Sequence, residues 1–174
     1  MVFDFDVGTN DFLKDGLENC SEDVVLMGIQ RVVGEIQSRK PESMIVVNGI
    51  LPRAEKGNEG MLYVNSNGNG NDKLDGGDDN DGDSTIDVMD AIDGVNKKLK
   101  EFCGTHDNLH YFDAKDIFVE AKEELQTEGN VVEYSIPQSL MADYLHPTSL
   151  GYQKWGRKIV DEIRSLVDGE LVIG

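Results

Sequence analysis

Met44-Ile45-Val46-Val47-Asn48-Gly49-Ile50-Leu51-Pro52-Arg53 decides the fold class. Four apolar residues run without alternation and then break at Asn-Gly. That is the pattern of a strand covered on both faces inside a parallel sheet. Upstream, Ser21 suits an N-cap, with Glu22 and Asp23 in the first turn. The helix it opens is expected to run to about Lys40, where Pro41 stops it. Val25, Ile29, Val32 and Ile36 recur there at 4-3-4 spacing, which predicts one buried face. Further upstream, Phe3, Phe5 and Val7 alternate with Asp4 and Asp6, then break at Gly8. This reads as a strand feeding a polar turn, Thr9-Asn10-Asp11.

Downstream, residues from about Asn65 to Asp83 are almost entirely Asn, Gly and Asp. Such a stretch cannot bury enough apolar surface to order itself, so a disordered acidic insertion is expected at about 65–83. Val88, Ile92, Val95, Leu99 and Phe102 then repeat at 4-3-4-3, predicting a helix on a sheet with Ser84 or Thr85 as its cap. Leu109-His110-Tyr111-Phe112-Asp113 is the next strand, with His110 half-buried in it. A short helix is expected around Ile117 to Leu125, followed by an irregular segment. Tyr152, Trp155, Ile159, Ile163 and Leu166 form the face of a closing helix, with Gly169 as its stop. Strand and helix alternate three times, which predicts an α/β fold: a three-layer αβα sandwich around a parallel sheet. Function in such sheets gathers at the carboxyl ends of the strands. Gly8-Thr9-Asn10-Asp11 and the loop after Val47 both lie at such ends.

Composition narrows the partners. The chain has 174 residues, enough for one domain, and a net charge of −18. Nine aspartates and one lysine between Asp72 and Asp93 supply −8 of that charge. An acidity of this size argues against nucleic acid or anionic membranes as partners. No apolar run approaches the roughly 20 residues of a membrane helix, and no secretory signal opens the chain. A cytoplasmic address follows if Met1 is the true start. Cys20 and Cys103 are too few for a disulfide framework and lack zinc spacing, so each reads as a small buried hydrophobe. No metal or other cofactor is expected.

Two motifs in the acidic stretch carry competing readings: calcium binding, which is disfavoured but stays open as a third reading, and a serine nucleophile, which reads as a decoy. Asp79, Asp81, Asp83, Ile86 and Asp90 match positions 1, 3, 5, 8 and 12 of a calcium loop, but Ser84 stands where glycine is needed and no entering helix precedes it. Gly82-Asp83-Ser84 spells a nucleophile tripeptide, but no strand leads into it. No glycine-rich phosphate loop follows any strand, which argues against a nucleotide-binding domain.

The chemistry concentrates in Asp143-Tyr144-Leu145-His146-Pro147-Thr148-Ser149. A carboxylate three residues before a histidine can curl back and accept from Nδ1. That would set the tautomer and turn Nε2 outward as a general base. His106 and His110 have no such setting.

These pieces together resemble the SGNH/GDSL hydrolases. Gly8-Thr9-Asn10-Asp11 is similar to that family's third sequence block, and Asp143-x-x-His146-Pro147 to its fifth. Gly49-Ile50-Leu51-Pro52-Arg53-Ala54-Glu55-Lys56 and the helix around Val95-Asn96-Lys97-Lys98-Leu99 are similar to the platelet-activating-factor acetylhydrolase catalytic subunits. The resemblance spans nearly the whole chain outside the acidic insertion. It implies a flavodoxin-like sheet of order 2-1-3-4-5 and a metal-free acyl-enzyme hydrolysis of small-molecule or lipid esters. Under it His146 would be the general base, Asp143 its orienting partner, Asn10 an oxyanion donor, and Gly8 the turn that seats Asn10. The family's serine lies upstream of the asparagine block, and none of the nine residues before Asn10 is serine. The expectation is therefore the C-terminal part of such a hydrolase, lacking the first two strands and the nucleophile. The alternative is a catalytically inactive remnant or interaction module of the same fold. An oligomer is compatible with either.

Overall fold

A computed structural model of the protein describes residues 21–54, 59–65, 88–126 and 129–173. The expected Val2–Val7 strand, Gly8, Asn10, the calcium-loop positions before Val88 and all but the first residue of the acidic insertion lie outside them.

Helix α1 spans Glu22–Arg39, and Ser21 caps it by accepting from Val24 N at 3.4 Å. Its buried residues are Val25, Ile29 and Val33, with Leu26 and Ile36 packed beside them. The expected Val32 is 41% exposed. At 100° per residue the apolar face centres between Ile29 and Val33, which leaves Val32 on its margin.

Strand β1 (Ile45–Asn48) follows, buried at all four positions. It pairs in parallel with β3 (Leu109–Phe112), in the register Ile45↔Leu109 to Asn48↔Phe112. In β3 Leu109 and Phe112 are buried and His110 is half-buried, as expected for that histidine. Helix α2 (Val88–Cys103) makes the crossover between them, burying Met89, Ile92, Val95, Leu99 and Cys103. It packs on α1, with Lys98 Nζ reaching Glu22 at 3.0 Å and Asp23 at 2.8 Å.

The second sheet corrects the expectation of a purely parallel sandwich. Strands β2 (Met61–Asn65), β4 (Glu120–Gln126) and β5 (Gly129–Ser135) form an antiparallel sheet of order β2-β5-β4. The helix expected over Ile117 to Leu125 is instead a four-residue helix, α3 (Lys115–Phe118), followed at once by β4. Residues 120–126 carry Glu, Ala, Lys and Leu, all good helix formers. They extend because β5 pairs with them continuously from Glu120↔Ser135 to Gln126↔Gly129. Tertiary pairing overrides local propensity there. The architecture is thus mixed α/β, a small parallel sheet with helices plus an antiparallel sheet.

Helix α4 spans Ser149–Ile173 and passes through Gly169, the expected stop. A glycine inside a helix costs only about 1 kcal/mol, and no proline follows to enforce an end. Trp155 is the buried anchor of α4, edge-on to Phe118 with ring centroids 6.0 Å apart. Tyr152 stacks on Trp155 but is itself 53% exposed, so it covers the core rather than joining it.

Candidate functional site

The segment between β5 and α4 folds into a tight turn around Asp143. One carboxylate oxygen, Oδ1, accepts from the backbone of Leu145 at 3.1 Å and of His146 at 2.7 Å. The other, Oδ2, lies 2.6 Å from His146 Nδ1. Short residues at this offset bond to the backbone two and three positions on, which is why an aspartate builds the turn. With Nδ1–H donated to a carboxylate, the hydrogen-bond network assigns the remaining lone pair to Nε2. Nε2 has no partner among the described residues, and the imidazole side chain is 67% exposed. The bond to His146 lowers the Asp143 carboxyl to about 2, with the backbone donors adding to the effect. Asp143 therefore stays charged, so it can stabilise an imidazolium.

Both flanks of the turn are tied down. On the C-terminal side, Thr148 N donates to Leu140 O at 2.7 Å, and its hydroxyl donates to Ser139 O at 2.7 Å. The same hydroxyl accepts from Gly151 N at 3.2 Å, opening α4 as a cap. Met141 and Pro147 close an antiparallel bridge. Within the turn, Tyr144 has φ 59°, a left-handed conformation costing a residue with a Cβ about 1–2 kcal/mol.

The chain after β1 runs beside this turn. Asn96, buried on α2, clamps Ile50 twice, accepting from its N–H at 2.7 Å and donating to its carbonyl at 2.9 Å. Gly49 N donates to Phe112 O at 2.9 Å, and Tyr111 packs so close to Gly49 that no Cβ fits. Ala54 N donates to Tyr144 O at 3.2 Å, joining this segment to the Asp143 turn. Asn48 and Trp155 meet beneath it, the indole N–H donating to Asn48 Oδ1 at 3.3 Å. Asn48 Nδ2 and Arg53 Nη1 are buried with no hydrogen-bond partner among the described residues.

Of the four site residues expected from sequence, the structure describes Asp143 and His146 and joins them; Gly8 and Asn10 lie outside the described residues. Sequence reasoning passed over Thr148, Tyr144, Asn48 and Asn96. Only Asn96 left a trace, as a polar residue between Val95 and Leu99 on an apolar helix face. Among the described residues no group of three His, Cys, Asp or Glu side chains could hold a metal ion. No helix among them is long and apolar enough to cross a membrane. A surface cleft of about 310 Å³, lined by Lys115, Asp116, Val119, Ala121 and Tyr134, includes none of the site residues.

No family model matches the chain, and no curated protein matches its sequence. Its fold does have solved counterparts, with nine matching chains. One, provisionally described as a platelet activating factor from Streptococcus pneumonia, aligns with a TM-score of 0.55 at 16% sequence identity. The alignment covers 90% of this chain and 56% of that one, so this chain spans little more than half of that structure's length. At 16% identity the likeness is one of fold: most of this chain shares the mixed α/β architecture of that protein.

Proposed function

We propose that this chain carries the base half of an SGNH/GDSL-type ester hydrolase site. The observation that carries the proposal is the 2.6 Å contact between Asp143 Oδ2 and His146 Nδ1, with Nε2 on an exposed ring and without a partner among the described residues. In that arrangement Nε2 takes the proton of an attacking serine hydroxyl as its oxygen bonds the ester carbonyl carbon. His146 then returns the proton to the departing alcohol. Asp143, held charged, stabilises the imidazolium between those steps. Asn10 is proposed as an oxyanion donor, a role worth roughly 3–4 kcal/mol in the transition state, and Gly8 as the tight turn that seats it. The fold shared with the streptococcal protein supports the scaffold this assignment needs. The substrate class is a small-molecule or lipid carboxylic ester.

The serine must come from outside residues 1–9, where none stands. The deciding experiment reads the transcript upstream of Met1 and assays the extended protein on a short-chain nitrophenyl ester. An in-frame Gly-Asp-Ser after an apolar strand, with hydrolysis lost in His146→Ala, is the expected result. An immediate upstream stop codon would sink the proposal. The other reading is a non-catalytic module of the same fold. An extended protein that carries the in-frame Gly-Asp-Ser, melts cooperatively and still leaves the ester intact decides for it.

A further inference from the structure

Asp143 and His146 are both exposed, with 56% and 67% of their side chains accessible. Neither is held by packing, and an exposed pair of this kind does little to order itself. The order has to come from the turn. Thr148 secures its C-terminal side, and Tyr144, directly after Asp143, ties its middle to Met141 and Ala54.

Tyr144 joins three segments. Its N–H donates to Met141 O at 3.1 Å, and its carbonyl accepts from Ala54 N at 3.2 Å. Its half-buried ring lies on Gly60, where an added Cβ would stand 2.6 Å from Tyr144 Cδ1 and 2.7 Å from Ile136 O. Gly60 has φ 85°, and its carbonyl accepts from Ile136 N at 2.8 Å. A left-handed tyrosine thus rests on a left-handed glycine, and only glycine leaves room for the ring. A strained conformation persists when its surroundings over-determine it, and here they do so beside the paired carboxylate and imidazole.

We infer that Tyr144 is a positioning residue whose ring, seated on Gly60, holds the Asp143–His146 turn in its paired geometry. Its meaning for turnover rests on the ester-hydrolase reading, but the positioning itself belongs to the substrate-free chain. The experiment follows the Asp143 carboxyl titration and the His146 Nδ1–H resonance by NMR in the wild type, Y144F, Y144G and G60A. Y144F keeps the ring and is expected to match the wild type, with Asp143 titrating at about 2. Y144G accepts φ 59° without strain, so it removes the ring while easing the backbone. Its Asp143 titration is expected to rise toward the ordinary 3.8, and its Nδ1–H signal to broaden by exchange. G60A should behave like Y144G; if it fails to fold, Y144G decides alone. A Y144G chain with wild-type titration and a wild-type Nδ1–H signal overturns the inference. If His146→Ala leaves ester hydrolysis untouched, the functional reading falls while this result stands.

Discussion

The indole N–H of Trp155 donates to the side-chain oxygen of Asn48 at 3.3 Å, across 107 positions of sequence. One buried bond thereby joins the helix that follows the Asp143 turn to the carboxyl end of β1. Both partners are almost fully enclosed, at 3% and 4% exposure, so losing one leaves the other without water to turn to.

Trp155→Phe should therefore destabilise the fold by about 2–4 kcal/mol, from the lost bond and the lost ring volume together. Because Asn48 Nδ2 has no partner among the described residues, Asn48→Leu should cost less than a typical buried asparagine. Urea unfolding of the two single variants and the double variant tests this. The double should be more stable than the summed singles predict, since it leaves no orphaned oxygen.

Asn96→Leu removes both clamps on Ile50 and strands a buried N–H and a buried carbonyl. A loss of about 2–5 kcal/mol is expected, with an unchanged denaturant slope. A loss below about 1 kcal/mol would mean that the backbone of Ile50 finds other partners.

His146→Ala removes the main reason that the Asp143 carboxyl is lowered, so its titration should move up from about 2 toward 3.8. The sign for stability follows from the lowered folded-state value. The pair's contribution is complete above pH 3.8 and fades as pH falls through about 2. It should be small, because both side chains are exposed. Acid unfolding of the wild type and His146→Ala should therefore diverge above pH 4 and converge near pH 2.

In a form of the protein that cleaves a nitrophenyl ester, His146→Ala should nearly abolish turnover. Asn10→Ala should lower kcat by about 10²–10³ with a smaller change in KM. Near-wild-type rates in both variants would refute the proposed roles.

Burial pushes the Cys103 thiol up to about 11. At pH 8 it should resist iodoacetamide in the folded chain and react on unfolding, as followed by peptide mass mapping. Rapid labelling of the native chain would show that α2 opens locally.

The parts legible in the sequence were those with local causes. An unbroken apolar run announced β1, a Ser-Glu-Asp start announced α1, and a three-residue offset announced the bond between Asp143 and His146. Their catalytic roles are a separate matter, proposed above. What sequence could not carry was set at a distance. The Glu- and Lys-rich residues of β4 favour a helix in isolation, and only pairing with β5 extends them. Tyr144 gives no sign of its positive φ, because glycine is the residue that usually marks one. Val33 takes the place on the buried face that the spacing gave to Val32, where α1 packs into the core beside α2.

The β4–β5 hairpin and the parallel pair differ in how far the chain must travel to close them, while β2 joins β5 across a gap at least as long as that of the parallel pair. In the hairpin Gln126 faces Gly129, whereas in the parallel pair Ile45 waits for Leu109. Closing the longer loop costs more entropy before any contact repays it. The hairpin is thus placed to form early and the parallel pair late, after α2 has bridged the gap. A nascent chain stalled before Leu109 would hold β1 without its parallel neighbour, an open apolar edge of the kind that chaperones bind.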